Sequence, residues 1–193
     1  MNDSSARADH EDRALLQRMA EGDRAALATL YHGYHGRLCR FLSRLTRREE
    51  IIEEVINDCF WIAWQHAAEF RGDARVSTWL MGIAYRCGLK ALRRQGDEPV
   101  DDAILEDLEG GTDPGEDREL RDLLEKAMRH LSADQRIAVE LVYGIGHSLN
   151  EVAAIVQCPV GTVKARLFHA RVKLLNVMPE LGGATPRREV DES

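Results

Sequence analysis

The chain has 193 residues, 44% of them hydrophobic and 31% charged, with a formal net charge of −7. That balance is globular, with room for one ordinary domain or two small helical ones. No run approaches the roughly 18 uninterrupted apolar residues of a membrane span, and the polar stretch from Met1 to Asp12 lacks the apolar core of a secretory signal, so a cytoplasmic location is expected.

The apolar pattern is helical throughout, and no segment alternates as a strand would. A first helix is expected from Glu11 to Glu21, ended by Gly22, with Asp23 placed to cap the next. The second carries Leu27, Leu30, Tyr31, Tyr34, Leu38, Phe41, Leu42 and Leu45 at the three- and four-residue spacing of a buried stripe. A third spans Glu49 to Glu69, and after the polar turn Arg71-Gly72-Asp73 a fourth runs from Ser77 to Arg94. Ten acids and no base then fall between Gln95 and Asp117, together with Pro99, Gly110, Gly111, Pro114 and Gly115. Such a segment cannot bury enough surface to offset its ordering entropy, which predicts a flexible acidic linker. Outside it the chain is mildly basic, at +3. Four further helices follow, over Glu119–His130, Ala133–Tyr143, Leu149–Val156 and Val160–Val177, with a frayed tail from Pro179. The fold expected is all-α: a domain over 11–94, a linker over 95–117 and a second domain over 118–178.

The last two helices carry the clearest functional signal. A short helix, a tight turn through Gln157 and Cys158, and a longer helix opened by Pro159 make a helix-turn-helix pattern. On the longer helix, Val163, Leu167, Ala170 and Leu174 form the core side. Ala165, Phe168, His169 and Val172 face out, flanked by Lys164, Arg166, Arg171 and Lys173. Four bases and no acid between Pro159 and Met178 suit phosphates on either side of a major groove, while the outer face meets base edges.

The fourth helix has a related asymmetry. Leu80, Ile83, Ala84, Cys87 and Ala91 form its core stripe, and Tyr85, Arg86, Leu89 and Arg93 face outward between Lys90 and Arg94. Cations interleaved with Tyr85, beside a turn holding Phe70 and Trp79, suit single-stranded DNA, although a ring at helical spacing such as Trp79 more often packs in a core. The third helix has the opposite sign. Glu50, Glu53, Glu54, Asn57 and Asp58 lie on adjoining faces, with Trp61 and Trp64 adding amphipathic surface, which points to a protein partner because it would repel DNA.

No phosphate loop, nucleophile elbow or acid–histidine pair is present, so neither an enzyme nor a cofactor is expected. Cys39, Cys59, Cys87 and Cys158 stand apart among apolar neighbours and read as small hydrophobes in a reducing compartment. His32 and His35 are three apart, with no evident cysteine or carboxylate to complete a metal set, so no metal is expected.

The run from Phe70 to Arg86 and the run Cys158-Pro-Val-Gly-Thr-Val-Lys-Ala-Arg-Leu-Phe-His-Ala-Arg resemble signatures of the extracytoplasmic-function sigma factors, over about Leu15 to Leu175. The resemblance implies an alternative sigma factor that binds core RNA polymerase through its β′ clamp and β, recognises and melts promoter DNA, and takes no small-molecule substrate. It implies that Glu53, Glu54, Asn57, Asp58, Trp61 and Trp64 grip the clamp. Phe70, Arg71, Asp73, Thr78, Trp79, Tyr85, Arg86, Lys90 and Arg93 would serve the −10 element. Thr162, Lys164, Ala165, Arg166, Phe168, His169 and Arg171 would serve the −35 element. It also implies an anti-sigma factor, often membrane-anchored, that masks these surfaces, and a linker near the RNA exit path, where the linker's acidity alone suggests a mimic of nucleic acid. Arg86, His169 and Asn57-Asp58 depart from the residues usual at those positions, leaving the promoter sequence open, and His169 would make its contacts sensitive to pH near neutrality. Two other readings stay open: a stand-alone helix-turn-helix regulator, and a sigma mimic that sequesters an anti-sigma factor.

Overall fold

Asp23 sets the first corner of the molecule, because its Oδ1 accepts hydrogen bonds from the Ala25 and Ala26 amides at 2.8 and 3.3 Å. The computed structural model describes residues 2–96 and 123–181. Among them all regular structure is helical: α1 (Asn2–Ala20), α2 (Arg24–Leu42), α3 (Glu49–His66), α4 (Val76–Gln95), α5 (residues 123–128), α6 (Ala133–Val139), α7 (Leu149–Val156) and α8 (Val160–Leu181). Beyond Gly96 the expected acidic linker lies outside the described residues.

Three boundaries differ from the sequence expectation. Helix α1 starts at Asn2, well before Glu11, because Arg7–Glu11 and Asp9–Arg13 ion pairs one turn apart support a helix that has no apolar stripe there. Helix α3 ends at His66, and Ala67–Glu69 form a tighter 3-10 turn leading into the Phe70 loop. At the far end, α8 runs on through Pro179 to Leu181 instead of fraying, since a proline so late forfeits few helical hydrogen bonds.

The predicted stripes are the core. Leu30, Tyr34, Leu38, Phe41 and Leu42 of α2 meet Val55, Ile56 and Cys59 of α3 and Leu80, Ile83, Ala84 and Ala91 of α4, all buried. Helix α4 crosses the end of α2 so closely at Gly88 that a Cβ there would sit 3.3 Å from Leu42 and 3.1 Å from Leu45 in the turn that follows. In the C-terminal half, Ser132 and Ser148 each build a reciprocal capping box, with Gln135 and Glu151 respectively. Helix α6 continues into a π turn over Glu140–Gly144. Gln157, at φ 54°, takes the left-handed conformation that ends α7 and turns the chain into α8.

The two halves are packed together. One hydrophobic cluster runs continuously from Leu16 to Leu167, with α7 laid against α4, while Met128, Leu131 and Ala170 form a smaller one. Arg44 pairs with the buried Glu140 at 3.2 Å, and Arg75 reaches Glu151 with its Nη2 2.5 Å from Oε2.

Candidate nucleic-acid interface and acidic face

Three surfaces hold the residues singled out from the sequence. The first is the acidic face of α3. Glu53, Asn57 and Asp58 are exposed, and Trp61 is 61% exposed. Glu54 receives a hydrogen bond from Arg94 Nη2 at 2.5 Å, and Asn57 accepts one from Tyr31 at 3.5 Å. Trp64, half-buried, joins Trp61, Phe60, Tyr31 and Leu27 in an open, mostly apolar groove between α2 and α3. An acidic helix edged by an apolar groove is built to accept an apolar, cationic protein surface.

The second surface is the loop after α3 and the start of α4. Phe70 packs against Trp79 with ring centroids 5.2 Å apart, so Trp79 is part of the loop's own packing. The Arg13 guanidinium lies 5.6 Å over the Phe70 ring and donates to the carbonyls of Gly72 and Ala74 at 3.2 and 3.0 Å. Asp9 accepts from the Val76 amide at 2.8 Å, supplying from α1 the cap that Arg75 does not give α4. Sequence reading missed both Asp9 and Arg13. Their polar setting on α1 gives no local cue that a loop some sixty positions on will need them.

Farther along α4 the expected outward face is only partly outward. Arg71, Asp73, Arg86, Lys90 and Arg93 are exposed. Tyr85 is half-buried, near Asp134 and Arg166 of the C-terminal half, and burial raises its pKa above the usual phenol value. Thr78 is buried at 4% exposure. Its Oγ1 donates to Glu151 Oε1 at 2.9 Å and sits 3.4 Å from His147 Nδ1. In this packing, then, Thr78 and Tyr85 are not free to touch DNA, because α7 and its flanks cover that side.

That covering contact is electrostatically organised. Burial opposes ionisation of Glu151, but hydrogen bonds from Arg75, Ser148 and Thr78 outweigh it and hold its carboxyl at about 2. His147 is 4% exposed, and burial lowers it to about 4, so it is neutral at pH 7. Its Nε2 has no hydrogen-bond partner among the described residues.

The third surface is the outer face of α8. Val163, Leu167 and Ala170 are buried as expected, and Thr162, Lys164, Ala165, His169 and Arg171 are exposed around a Phe168 that is 61% exposed. The flanking cations are unequal. Arg166 is half-buried and ion-paired with Asp134, and Arg171 donates to Tyr143 Oη at 3.1 Å. An apolar tip ringed by cations on a helix preceded by a tight turn has the chemistry of a major-groove reader.

One constellation lies outside these surfaces. The sequence pattern offers His35 no metal partner, yet the structure brings it two, Cys39 from the next turn of α2 and Glu53 from α3. Spacing conceals this set because its carboxylate arrives from another helix.

Residues 30–98 match the family model described as sigma-70 region 2, and residues 121–174 match sigma-70, region 4. The ECF RNA polymerase sigma-E factor of Haemophilus influenzae is 33% identical over 183 residues, covering 88% of this chain and 96% of that one. The factor of the same name from Escherichia coli K12 is 32% identical, over 88% of this chain and 95% of its own. Among solved structures, the sigma factor RpoE of Bartonella quintana, in complex with the anti-sigma factor NepR, is similar at TM-score 0.56 and 28% identity, covering 82% of this chain and 93% of that one. CnrH, in complex with the cytosolic domain of CnrY, shares the fold at TM-score 0.63 and 20% identity, over 88% and 98% of the two chains.

Proposed function

Because the chain belongs to the extracytoplasmic-function group of the sigma-70 family, we propose that its three surfaces divide the work of promoter-specific initiation among them. The protein is an alternative sigma factor, a transcription initiation factor and not an enzyme. It binds core RNA polymerase and promoter DNA, and an anti-sigma factor is its expected antagonist. No helix among the described residues is long and apolar enough to cross a membrane, and we place the site of action in the cytoplasm, beside the polymerase that the family serves.

In this reading the N-terminal domain (11–94) docks through Glu53, Glu54, Asn57, Asp58, Trp61 and Trp64, whose negative charge keeps that face off DNA. Phe70, Arg71, Asp73, Thr78, Trp79, Tyr85, Arg86, Lys90 and Arg93 take the opened −10 strand, with rings stacking on bases and cations tracking phosphates. The C-terminal domain (118–178) sets Thr162, Lys164, Ala165, Arg166, Phe168, His169 and Arg171 into the −35 major groove. Neither domain needs high affinity alone, since the second contact becomes effectively intramolecular once the first is made.

The observation that carries this reading is the outer face of α8, where an exposed phenylalanine is ringed by cations with no acid on the helix between Pro159 and Met178. The packed arrangement of the halves adds a step. Thr78 is satisfied by Glu151 and His147, so the α4–α7 contact must open before Thr78 meets DNA. Polymerase or paired promoter elements would favour the open form by binding it more tightly than the packed one. In vitro transcription with core polymerase and a promoter-fragment library tests the whole. Initiation at templates sharing two spaced elements is expected, and no initiation together with no polymerase binding would refute it.

A further inference from the structure

Helix α2 places His35 and Cys39 one turn apart on the same face, and α3 lays Glu53 across them. His35 Nε2 is 3.2 Å from Glu53 Oε1, Cys39 Sγ is 3.9 Å from the same oxygen, and Sγ is 3.9 Å from Nε2. We propose that His35, Cys39 and Glu53 form a transition-metal site of the zinc class that bridges α2 and α3. The geometry is the first argument. Tetrahedral zinc with bonds of about 2.0–2.3 Å separates its ligands by roughly 3.2–3.7 Å, so the three donors already stand near the edges of such a site and need to close by only a few tenths of an ångström. The donor set is the second. One imidazole, one thiol and one carboxylate match a borderline-soft ion, and a thiolate excludes calcium and magnesium as the preferred occupant.

Exposure fits the same assignment. Cys39 and His35 are half-buried and Glu53 is exposed, so three protein ligands would leave a fourth position open to water. The Tyr31 ring lies 5.3 Å from the imidazole and walls one side. Ligation through Cys39 uses the thiolate, so binding releases the thiol proton. Occupied, the site would clip the two helices together and take up the Glu53 carboxylate, which the functional reading gives to polymerase. The site itself does not depend on that reading.

The test is a cobalt(II) titration of the reduced, chelator-treated full chain, followed by competition with zinc. One equivalent of cobalt should produce an intense thiolate-to-metal absorption band with tetrahedral d–d bands, and zinc should abolish both. Cys39→Ser should lose the charge-transfer band while keeping the helical circular dichroism. His35→Ala, a second variant at a partly exposed position, should weaken binding by more than the roughly 10–100-fold that loss of an outer-shell partner costs. Cys87→Ser and Cys158→Ser should retain the full signal. Absence of the band in the wild-type chain, or its survival in Cys39→Ser, would overturn the assignment and leave the three residues as a plain histidine–carboxylate pair beside a thiol. Because polymerase is absent from this assay, its failure leaves the sigma-factor reading intact.

Discussion

The two proposed DNA-reading surfaces differ in what covers them. On α8, Phe168 and the cations around it stand in solvent, and the residues that hold the helix in place, Val163, Leu167 and Ala170, lie wholly on its other side. On α4 the division is less clean, since Thr78 is buried against Glu151 and Tyr85 is half-buried near Arg166. A helix that packs on one face alone can read DNA as folded. A helix that shares its reading side with another domain must first give up contacts, and those contacts set a threshold for activity. In the proposed reading the N-terminal surface is thus the gated one, with the Glu151 cluster as its gate.

Removing Glu151 should have the largest effect. Its carboxylate joins Arg75, accepts from Thr78 and closes the capping box with Ser148. Glu151→Ala therefore loses a partly buried ion pair and an N-terminal cap together, and should lower unfolding stability by about 2–4 kcal/mol in urea titrations. The same variant should bind single-stranded −10 DNA more tightly, because Thr78 is released. Lower stability without tighter binding would mean that the contact shapes the fold but gates nothing.

Acid should weaken the same contact. His147 is held neutral with a pKa of about 4, against 6.5 for an ordinary histidine, so the unfolded or opened chain binds its proton first. Stability is then full above pH 6.5 and is lost as pH falls toward 4, at about 1.4 kcal/mol per tenfold rise in proton activity, or about 2 kcal/mol by pH 5. Glu151, held at about 2, adds its own loss only below its ordinary value of 4.5. Denaturation midpoints measured at pH 7 and pH 5 should fall steeply for the wild type and much less for His147→Gln. Equal falls would place the acid sensitivity elsewhere.

The contrast between the two surfaces also explains what the sequence could reveal. The stripes of α2, α4 and α8 were legible because burial against a neighbour imposes a period on the chain carrying it. Asp23 and Gly22 were legible because caps act over a few residues. Glu151, however, does two jobs, and only the local one leaves a pattern; its partner Arg75 stands in a different part of the chain. Tyr85 sits at a position that periodicity calls outward, with Thr78 two turns before it, and no rule of spacing says that another domain will cover them. Arg13 reaching Phe70 and Glu53 reaching His35 were hidden for the same reason. Long-range polar contacts carry no period.

Truncating Phe168 should sharpen the comparison from the other side. With 61% of its surface exposed, Phe168→Ala should change stability by no more than about 0.5 kcal/mol. It should nevertheless cost about 1–3 kcal/mol of affinity for the −35 duplex and relax discrimination at the base it meets. A competition binding assay against single-substituted duplexes separates the two effects. A uniform loss across all duplexes would make Phe168 a general contact, not a reader.

The smallest effect is expected at Asp134, whose carboxylate is half in solvent and holds Arg166 by an ion pair. An exposed pair of this kind is worth about 0.2–1 kcal/mol, so Asp134→Ala should leave the fold almost unchanged. On the −35 duplex, however, it should act in the opposite direction to Phe168→Ala. Arg166 would be released toward a phosphate and a like-charged neighbour of the backbone removed, so duplex affinity should rise by about twofold. The salt dependence should steepen as well, approaching one further counterion released, a slope change of about 0.9. Arg166→Ala should flatten that slope instead, and in its background Asp134→Ala should lose the part of its benefit that Arg166 supplied. If Asp134→Ala weakens duplex binding, the carboxylate is aiming Arg166 at the backbone, and the C-terminal surface is pre-organised by the very pair that otherwise restrains it.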